Sequence, residues 1–122
     1  MTTQELKTLI AEELMGWEYG YAGTGQTMTW GMPGAEKIRH NSWCPVTRMK
    51  DIEDVTERLY RDITCVQLTN AEEGDERWLA MVWGPEVQRR SESGHSHARA
   101  RGRTMGEALC RAVVLGYDLK KS

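Results

Sequence analysis

The sequence contains no phenylalanine and no apolar run long enough to cross a bilayer. A transmembrane helix requires roughly 18 or more consecutive apolar residues, so we expect neither a membrane span nor a membrane partner. The N-terminus also lacks the basic stretch followed by an apolar stretch that is typical of a signal peptide. These absences favour a cytoplasmic protein whose large aromatic side chains are the five tryptophans and four tyrosines.

Paired cysteine motifs are absent as well. Cys44, Cys65 and Cys110 are odd in number and lack Cys-x-x-Cys spacing, so in a reducing compartment we expect free thiols, two of them buried. His95 and His97 could offer two imidazoles, but no nearby carboxylate or thiol completes a metal site. We therefore expect no metal and no cofactor.

No catalytic constellation is visible. The paired carboxylates Glu12–Glu13 and Glu72–Glu73 are typical of solvated surface rather than of an acid–base pair. The glycine-rich stretch 20–27 lacks the lysine of a phosphate-binding loop, which favours a hairpin turn. The sequence therefore predicts a protein that is not an enzyme.

Hydrophobic spacing predicts three helices, within 2–17, 49–62 and 104–116. Thr2 with Glu5, and Thr104 with Glu107, have the spacing of a capping box, and Gly16 suits the end of the first helix. The residues expected to face the core are Leu6, Leu9, Ile10 and Leu14, then Met49, Ile52, Val55 and Leu59, then Leu109, Cys110, Ala112 and Val113.

The strand patterns lie between these helices. Two short strands are expected within 17–34, two more at 63–69 and 77–83, and a last one before Thr104. We predict a single domain over 1–122, with a loop at 33–48, a mobile turn at 89–97 and a frayed tail at 117–122. The element order is α-β-β-α-β-β-β-α. It favours an α+β fold with an antiparallel sheet of about five strands and helices on both faces, a three-layer α/β/α sandwich.

Several local strings resemble a known family. The stretches "ELKTLIAEELMGW", "SWCPVTRMKDIEDVTERL", "WLAMVW" and "ARARGRTMGEALCRAVV" resemble parts of the phage ABA sandwich domain, a family of small bacteriophage and prophage proteins. The resemblance spans most of the chain and implies the same three-layer arrangement and a phage origin. It implies no catalytic residues.

Charge is concentrated near the C-terminal helix. The chain carries a net charge of −2, which argues against a general nucleic-acid binder, yet 88–103 holds five arginines against one acid, Glu92. If 95–103 is extended, its basic side chains share one face and small residues the other. The candidate phosphate-binding residues are Arg89, Arg90, His95, His97, Arg99, Arg101, Arg103 and Thr104, and the candidate base-stacking residues are Trp30, Trp43 and Trp83.

Two interpretations of this basic face stay open. It is either a solvated edge or an anion site, where arginine forks and the first amides of the following helix bind phosphate. The anion-site interpretation predicts a non-enzymatic phage protein that sequesters a small nucleotide-derived immune signal in the infected host cell, as a homo-oligomer. The alternative is a protein–protein or structural phage module that docks an acidic partner, and an accessory contact to DNA or RNA is a weaker third possibility.

Overall fold

The computed structural model describes residues 1–21, 28–31, 38–40, 43–70, 74–87 and 97–120. Its elements are α1 (Thr3–Leu9), a π-helical turn (Ile10–Leu14), β1 (Glu18–Tyr21), β2 (Met28–Gly31), β3 (Ile38–His40), α2 (Met49–Arg61), β4 (Cys65–Asn70), β5 (Trp78–Trp83), β6 (His97–Gly102) and α3 (Met105–Gly116). The mixed α+β class and the three predicted helices are confirmed.

The strands form two separate antiparallel sheets, β1-β2-β3 and β4-β5-β6. The expected single sheet of about five strands is therefore wrong for the described residues, which contain six strands. The additional strand is β3, which lies inside the predicted 33–48 loop. Its three residues are too few to show an alternating pattern, so sequence periodicity could not detect it.

Small side chains bring α3 close to the second sheet. Ala80, Val82 and Ala98 are buried and alternate with more exposed neighbours along β5 and β6. At Gly116 of α3, an added Cβ would lie 3.1–3.2 Å from side-chain carbons of Val82 and Ala98. This covered face of the sheet thus packs directly on α3.

The three helices contribute to one hydrophobic cluster with that covered face. Leu6 and Ile10, Val55 and Leu59 of α2, and Leu109 of α3 all belong to it. None of the described helices covers the opposite face, whose residues are exposed or half-buried. The predicted layer of helices on both faces of this sheet is therefore wrong for the described part of the chain.

The first helix follows its sequence signals. Thr2 Oγ1 accepts from Glu5 N at 3.1 Å and Thr2 N donates to Glu5 Oε1 at 3.4 Å, which completes the capping box. Gly16 has φ of 72°, the left-handed conformation that glycine adopts easily. The four residues expected to face the core, Leu6, Leu9, Ile10 and Leu14, are buried.

The second helix is held at its start by carboxylates. The Asp51 carboxylate is buried and accepts from Cys44 N at 2.8 Å, while Trp43 Nε1 donates to Asp54 Oδ2 at 2.9 Å. Val55 is buried as predicted, but Met49 is 65% exposed, so its expected inward position is wrong. Asp51 occupies the inward position because it satisfies a backbone amide of the preceding loop.

The C-terminal end of α3 is tethered to the turn before β4. The Tyr117 hydroxyl donates to Asp62 Oδ2 at 3.0 Å and lies 2.5 Å from the Thr64 hydroxyl, and Asp62 Oδ1 pairs with Arg58 Nη1 at 3.3 Å. Leu119 also packs against the core. Tyr117 and Leu119 are therefore held against the fold, and the frayed tail stays a prediction for 121–122, which lie outside the described residues.

Replacing Tyr117 by Phe should lower the free energy of unfolding by about 1–3 kcal/mol, because the buried Thr64 hydroxyl loses its partner. Burial raises the pKa of Tyr117 to about 12, above its ordinary value of 10. The neutral phenol is thus favoured in the folded state, and its contribution is full below about pH 10 and is lost as the pH rises towards 12. Urea titrations of both proteins at pH 7 and at alkaline pH check this.

Tyr60→Phe is the matched control, because Tyr60 is 76% exposed. Its unfolding midpoint should equal that of the wild type. Equal stability of Tyr117→Phe and Tyr60→Phe would show that the tether contributes nothing.

Candidate functional site

The side of the second sheet that no described helix covers presents nine residues in three cross-strand rows, which we call the open face. The rows are Cys65–Trp83–His97, Gln67–Met81–Arg99 and Thr69–Leu79–Arg101. Because successive strand residues point to opposite sides, these nine side chains point away from the face that packs on α3. Every row contains a neutral residue on β4, an apolar residue on β5 and a basic residue on β6.

The open face combines positive charge with apolar surface. Arg99 and Arg101 are exposed and His97 is half-buried, while none of the nine residues is a carboxylate. Side chains directly opposite each other in a sheet lie about 4.5–5.5 Å apart at Cβ, so each basic group stands beside an apolar neighbour. This arrangement suits a ligand with both anionic and apolar parts.

A shallow depression lies in the middle of the open face. It has a volume of about 150 Å³ and is lined by Gln67, Thr69, Leu79, Met81 and Arg99. Sites for drug-sized ligands usually enclose about 300–1,000 Å³. The depression of one chain is therefore large enough for one group of a ligand, and the rest would lie across the sheet.

The three candidate stacking tryptophans have different surroundings. Trp83 is 37% exposed on the open face, in the same row as His97. Trp43 is 2% exposed and meets Trp17 edge-to-face, with ring centroids 4.8 Å apart, so its predicted stacking role is wrong. Trp30 belongs to β2, and the structure does not describe its side chain.

The structure brings together part of the predicted basic set. His97, Arg99 and Arg101 share one face of β6, as the alternation predicts. Arg103 follows the end of this strand and is exposed. Arg89, Arg90 and His95 lie outside the described residues, as does the predicted mobile turn except for its last residue, His97, which begins β6.

The Thr104 hydroxyl makes two hydrogen bonds within the local structure. Its hydroxyl accepts from Glu107 N at 3.0 Å and donates to the Val46 carbonyl oxygen at 2.6 Å. The Glu107 carboxylate accepts from Arg103 N at 3.4 Å and pairs with Arg111 at 3.2 Å. Only the hydroxyl half of the predicted capping box therefore forms, and the single proton of the Thr104 hydroxyl is already donated to Val46, so it is not available to a phosphate oxygen.

The start of α3 does not join the arginines in one pocket. The helix packs on the covered face, whereas Arg99 and Arg101 belong to the open face. A Cβ at Gly106 would overlap the carbonyl oxygen of Pro45, so the first turn is packed against protein and the Glu107 carboxylate already lies there. The expectation that helix amides and strand arginines converge on one anion is wrong.

Arg111 is a structural residue that the sequence analysis missed. Its Nη1 contacts Glu76 Oε1 and Glu107 Oε1, each at 3.2 Å, and donates to the Arg101 carbonyl oxygen at 3.0 Å. The spacing of Glu107 and Arg111 was a detectable signal, since residues four apart are neighbours on a helix. This contact ties β6 to α3.

The three cysteines differ in their exposure to solvent. Cys110 is buried, and burial raises the pKa of its thiol, so the reactive thiolate is disfavoured. Cys65 is exposed and Cys44 is half-buried, so the expectation of two buried cysteines is wrong. Within the described ranges, no three His, Cys, Asp or Glu side chains form a metal-binding cluster.

None of the helices in the described part of the chain has the length and apolar character required to cross a membrane.

Comparison with solved structures identifies a similar architecture. The fold is shared with a phage protein. The crystal structure of this phage protein from Bacillus cereus matches with a TM-score of 0.64, over 100% of this chain and 93% of that chain, at 16% sequence identity. No protein-family model matches the chain, and a search of curated proteins finds no match. The resemblance to the phage ABA sandwich family therefore stays a prediction.

Replacing Gly106 by Ala should destabilise the protein by about 1–3 kcal/mol, the usual cost of overpacking, because the new methyl group would overlap the Pro45 and Val46 carbonyl oxygens. Gly116→Ala is the control, since its Cβ meets only side-chain carbons at 3.1–3.4 Å. Urea denaturation should show a clear loss for Gly106→Ala and a smaller one for Gly116→Ala. The reverse order would contradict the described packing of α3.

Proposed function

We propose that this protein binds a small anionic, nucleotide-derived ligand on its open face and holds it without chemical conversion. One observation carries this proposal. On β6, His97, Arg99 and Arg101 form a basic column, and each is paired with a residue of the apolar column on β5, which consists of Trp83, Met81 and Leu79. Nucleotides combine phosphate charge with an aromatic base, and the two columns offer a matching surface for each.

Arg99 and Arg101 would bind the phosphate oxygens. Two residues apart on one strand, they are separated by about 7 Å along the strand axis and point the same way. Guanidinium groups bind phosphate through paired hydrogen bonds in a fixed fork geometry. Their exposure leaves them accessible to a ligand that arrives from solvent.

Trp83 would stack on the base. Its indole is partly exposed beside His97 at one end of the open face. Stacking of a base on an aromatic side chain contributes about 1–3 kcal/mol and tolerates different bases. A ligand spanning this row and the next would place its base near Trp83 and its phosphate near Arg99.

The residues of the open face favour binding of the ligand without its chemical conversion. Hydrolysis of a phosphate ester needs a positioned base or an activated nucleophile. The open face has no carboxylate beside the arginines, and its cysteine and histidine, Cys65 and His97, lie on the two edge strands with β5 between them. With the fold likeness to a phage protein, we propose a phage origin and sequestration of a nucleotide signal used in bacterial immunity. Such a protein would act in the host cytoplasm.

Calorimetry with a panel of cyclic dinucleotides, cyclic trinucleotides and cyclic ADP-ribose variants tests the proposal. Arg99→Gln should weaken binding roughly 10- to 100-fold, since a charge-assisted hydrogen bond contributes about 1.5–3 kcal/mol. Arg61→Gln is the matched control, because Arg61 is an exposed arginine of α2 paired with Glu57. It should bind like the wild type.

Ligand recovered after heat denaturation distinguishes holding from conversion. Intact ligand supports sequestration, whereas a chemically altered ligand would overturn the non-enzymatic proposal. Failure of every panel member to bind, or equal affinity of Arg99→Gln and wild type, would remove the open face from the proposed role.

A second candidate is docking of an acidic protein partner. The small size of the depression favours it, because about 150 Å³ is less than an enclosed small-molecule site usually has. The apolar column would then form the centre of an interface and the arginines its rim. Binding of an acidic protein that Arg99→Gln and Arg101→Gln abolish, with no binding of nucleotides, would favour this alternative.

A further inference from the structure

β4 is an edge strand whose outer side is paired with no described strand. The sheet order is β4-β5-β6, so β4 and β6 are its two edges. An edge strand presents backbone N–H and C=O groups that can pair with another chain unless charge, proline, a bulge or a covering element prevents it. The two edges of this sheet differ sharply in such protection.

β4 carries none of the usual protective features in its sequence. Its six residues, Cys65–Asn70, contain no charged side chain and no proline. They pair with β5 in an uninterrupted register from Cys65↔Trp83 to Asn70↔Trp78, so no bulge twists the edge away. This strand is therefore long and regular enough to serve as a pairing template.

β6 is protected by charge and by a side-chain contact. Arg99 and Arg101 alternate along it, and like charges directly opposite each other would destabilise pairing with a second β6. The Arg101 carbonyl oxygen already accepts from Arg111 Nη1 at 3.0 Å. Association through this sheet is thus directed to the β4 edge.

We propose that a second copy of this chain pairs with β4 in antiparallel fashion, about a two-fold axis perpendicular to the sheet and near Gln67. Two-fold self-pairing uses the same surface of both copies, the commonest arrangement in soluble oligomers. The product is a continuous six-stranded sheet in the order β6-β5-β4-β4-β5-β6. This proposal stands independently of the proposed ligand.

Exposed apolar residues near the start of β4 give a second line of support. Tyr60 in the last turn of α2, the helix that contacts β4, is 76% exposed, and Ile63 in the turn between α2 and β4 is 73% exposed. Ile63 has φ of 59°, a left-handed conformation that costs a β-branched residue about 1–2 kcal/mol. With the two-fold axis near Gln67, this residue lies next to the end of the second copy's β4, so the pairing brings an exposed apolar side chain to the proposed interface.

The pairing places both open faces on the same side of the sheet. The depressions lined by Gln67 and Thr69 of each copy become neighbours across the two-fold axis, and the arginine columns form the two outer margins. A surface of twice the width results, with apolar and neutral side chains at its centre. The widened surface offers a ligand more contact area than the depression of one copy, which has a volume of about 150 Å³.

Sedimentation velocity over a range of protein concentrations tests the proposal. Gln67→Lys should halve the mass of the assembly, because two lysines would face each other at the axis, while Gln67 is exposed and the fold tolerates the change. Gln4→Lys is the matched control, since Gln4 is exposed on α1, and it should keep the wild-type mass. Circular dichroism verifies that each variant is folded.

A mixture of two oppositely charged Gln67 variants provides the decisive test. Gln67→Glu alone should also be monomeric, whereas an equimolar mixture of Gln67→Lys and Gln67→Glu should restore the assembly, because opposite charges then face each other. A wild-type protein that is monomeric at all concentrations overturns the proposal, as does a mass that Gln67→Lys leaves unchanged or a mixture that stays monomeric. These outcomes are separate from the nucleotide calorimetry, so either proposal can fail alone.

Discussion

The close packing of α3 on one face of the β4-β5-β6 sheet is the constraint on which the rest of the structure depends. Small residues on both sides of this contact permit it: Ala80, Ala98 and Gly102 on the sheet and Gly116 on the helix. Once these positions face α3, the pleat of each strand directs the alternate residues to the other side. The basic and apolar columns of the open face therefore result from the packing of the opposite face on α3.

Other contacts hold the surrounding elements to this packed unit. The Tyr117 hydroxyl ties the end of α3 to the turn before β4, and Arg111 ties the edge of β6 to α3. The carboxylates of Asp51 and Asp54 fasten the 43–48 segment to α2. The side chains that hold the structure together are thus mainly on the covered side, which leaves the open face without a role in the core.

The sequence patterns predicted the structure correctly where a helical or strand period was strong within a short stretch of the chain. The capping box of Thr2, the helical spacing of Leu6, Ile10 and Leu14, and the alternation over 97–102 all occur in the structure as predicted. The patterns failed where tertiary contacts decided. The continuous apolar run of β5 was compatible with coverage on one face or on both, and Met49 fitted the helical stripe although it faces solvent.

The candidate site could be predicted only in part. The basic face of β6 followed from its sequence, but its partners Gln67, Thr69, Leu79 and Met81 come from strands distant in the chain, and the register that aligns them depends on strand pairing. The same limit applies to the tryptophans, because Trp43 and Trp83 are indistinguishable by residue type, yet one fills the core and the other lies on the open face.

The sequence by itself determined the three helices and which side chains share a face of the last strand, because helical and strand periods are properties of neighbouring residues. Only the tertiary structure decided which face of the sheet α3 covers, how the three columns align, and that the start of α3 packs against Pro45 and Val46 rather than opening towards an anion. These features depend on contacts between residues far apart in the chain, which no local period encodes.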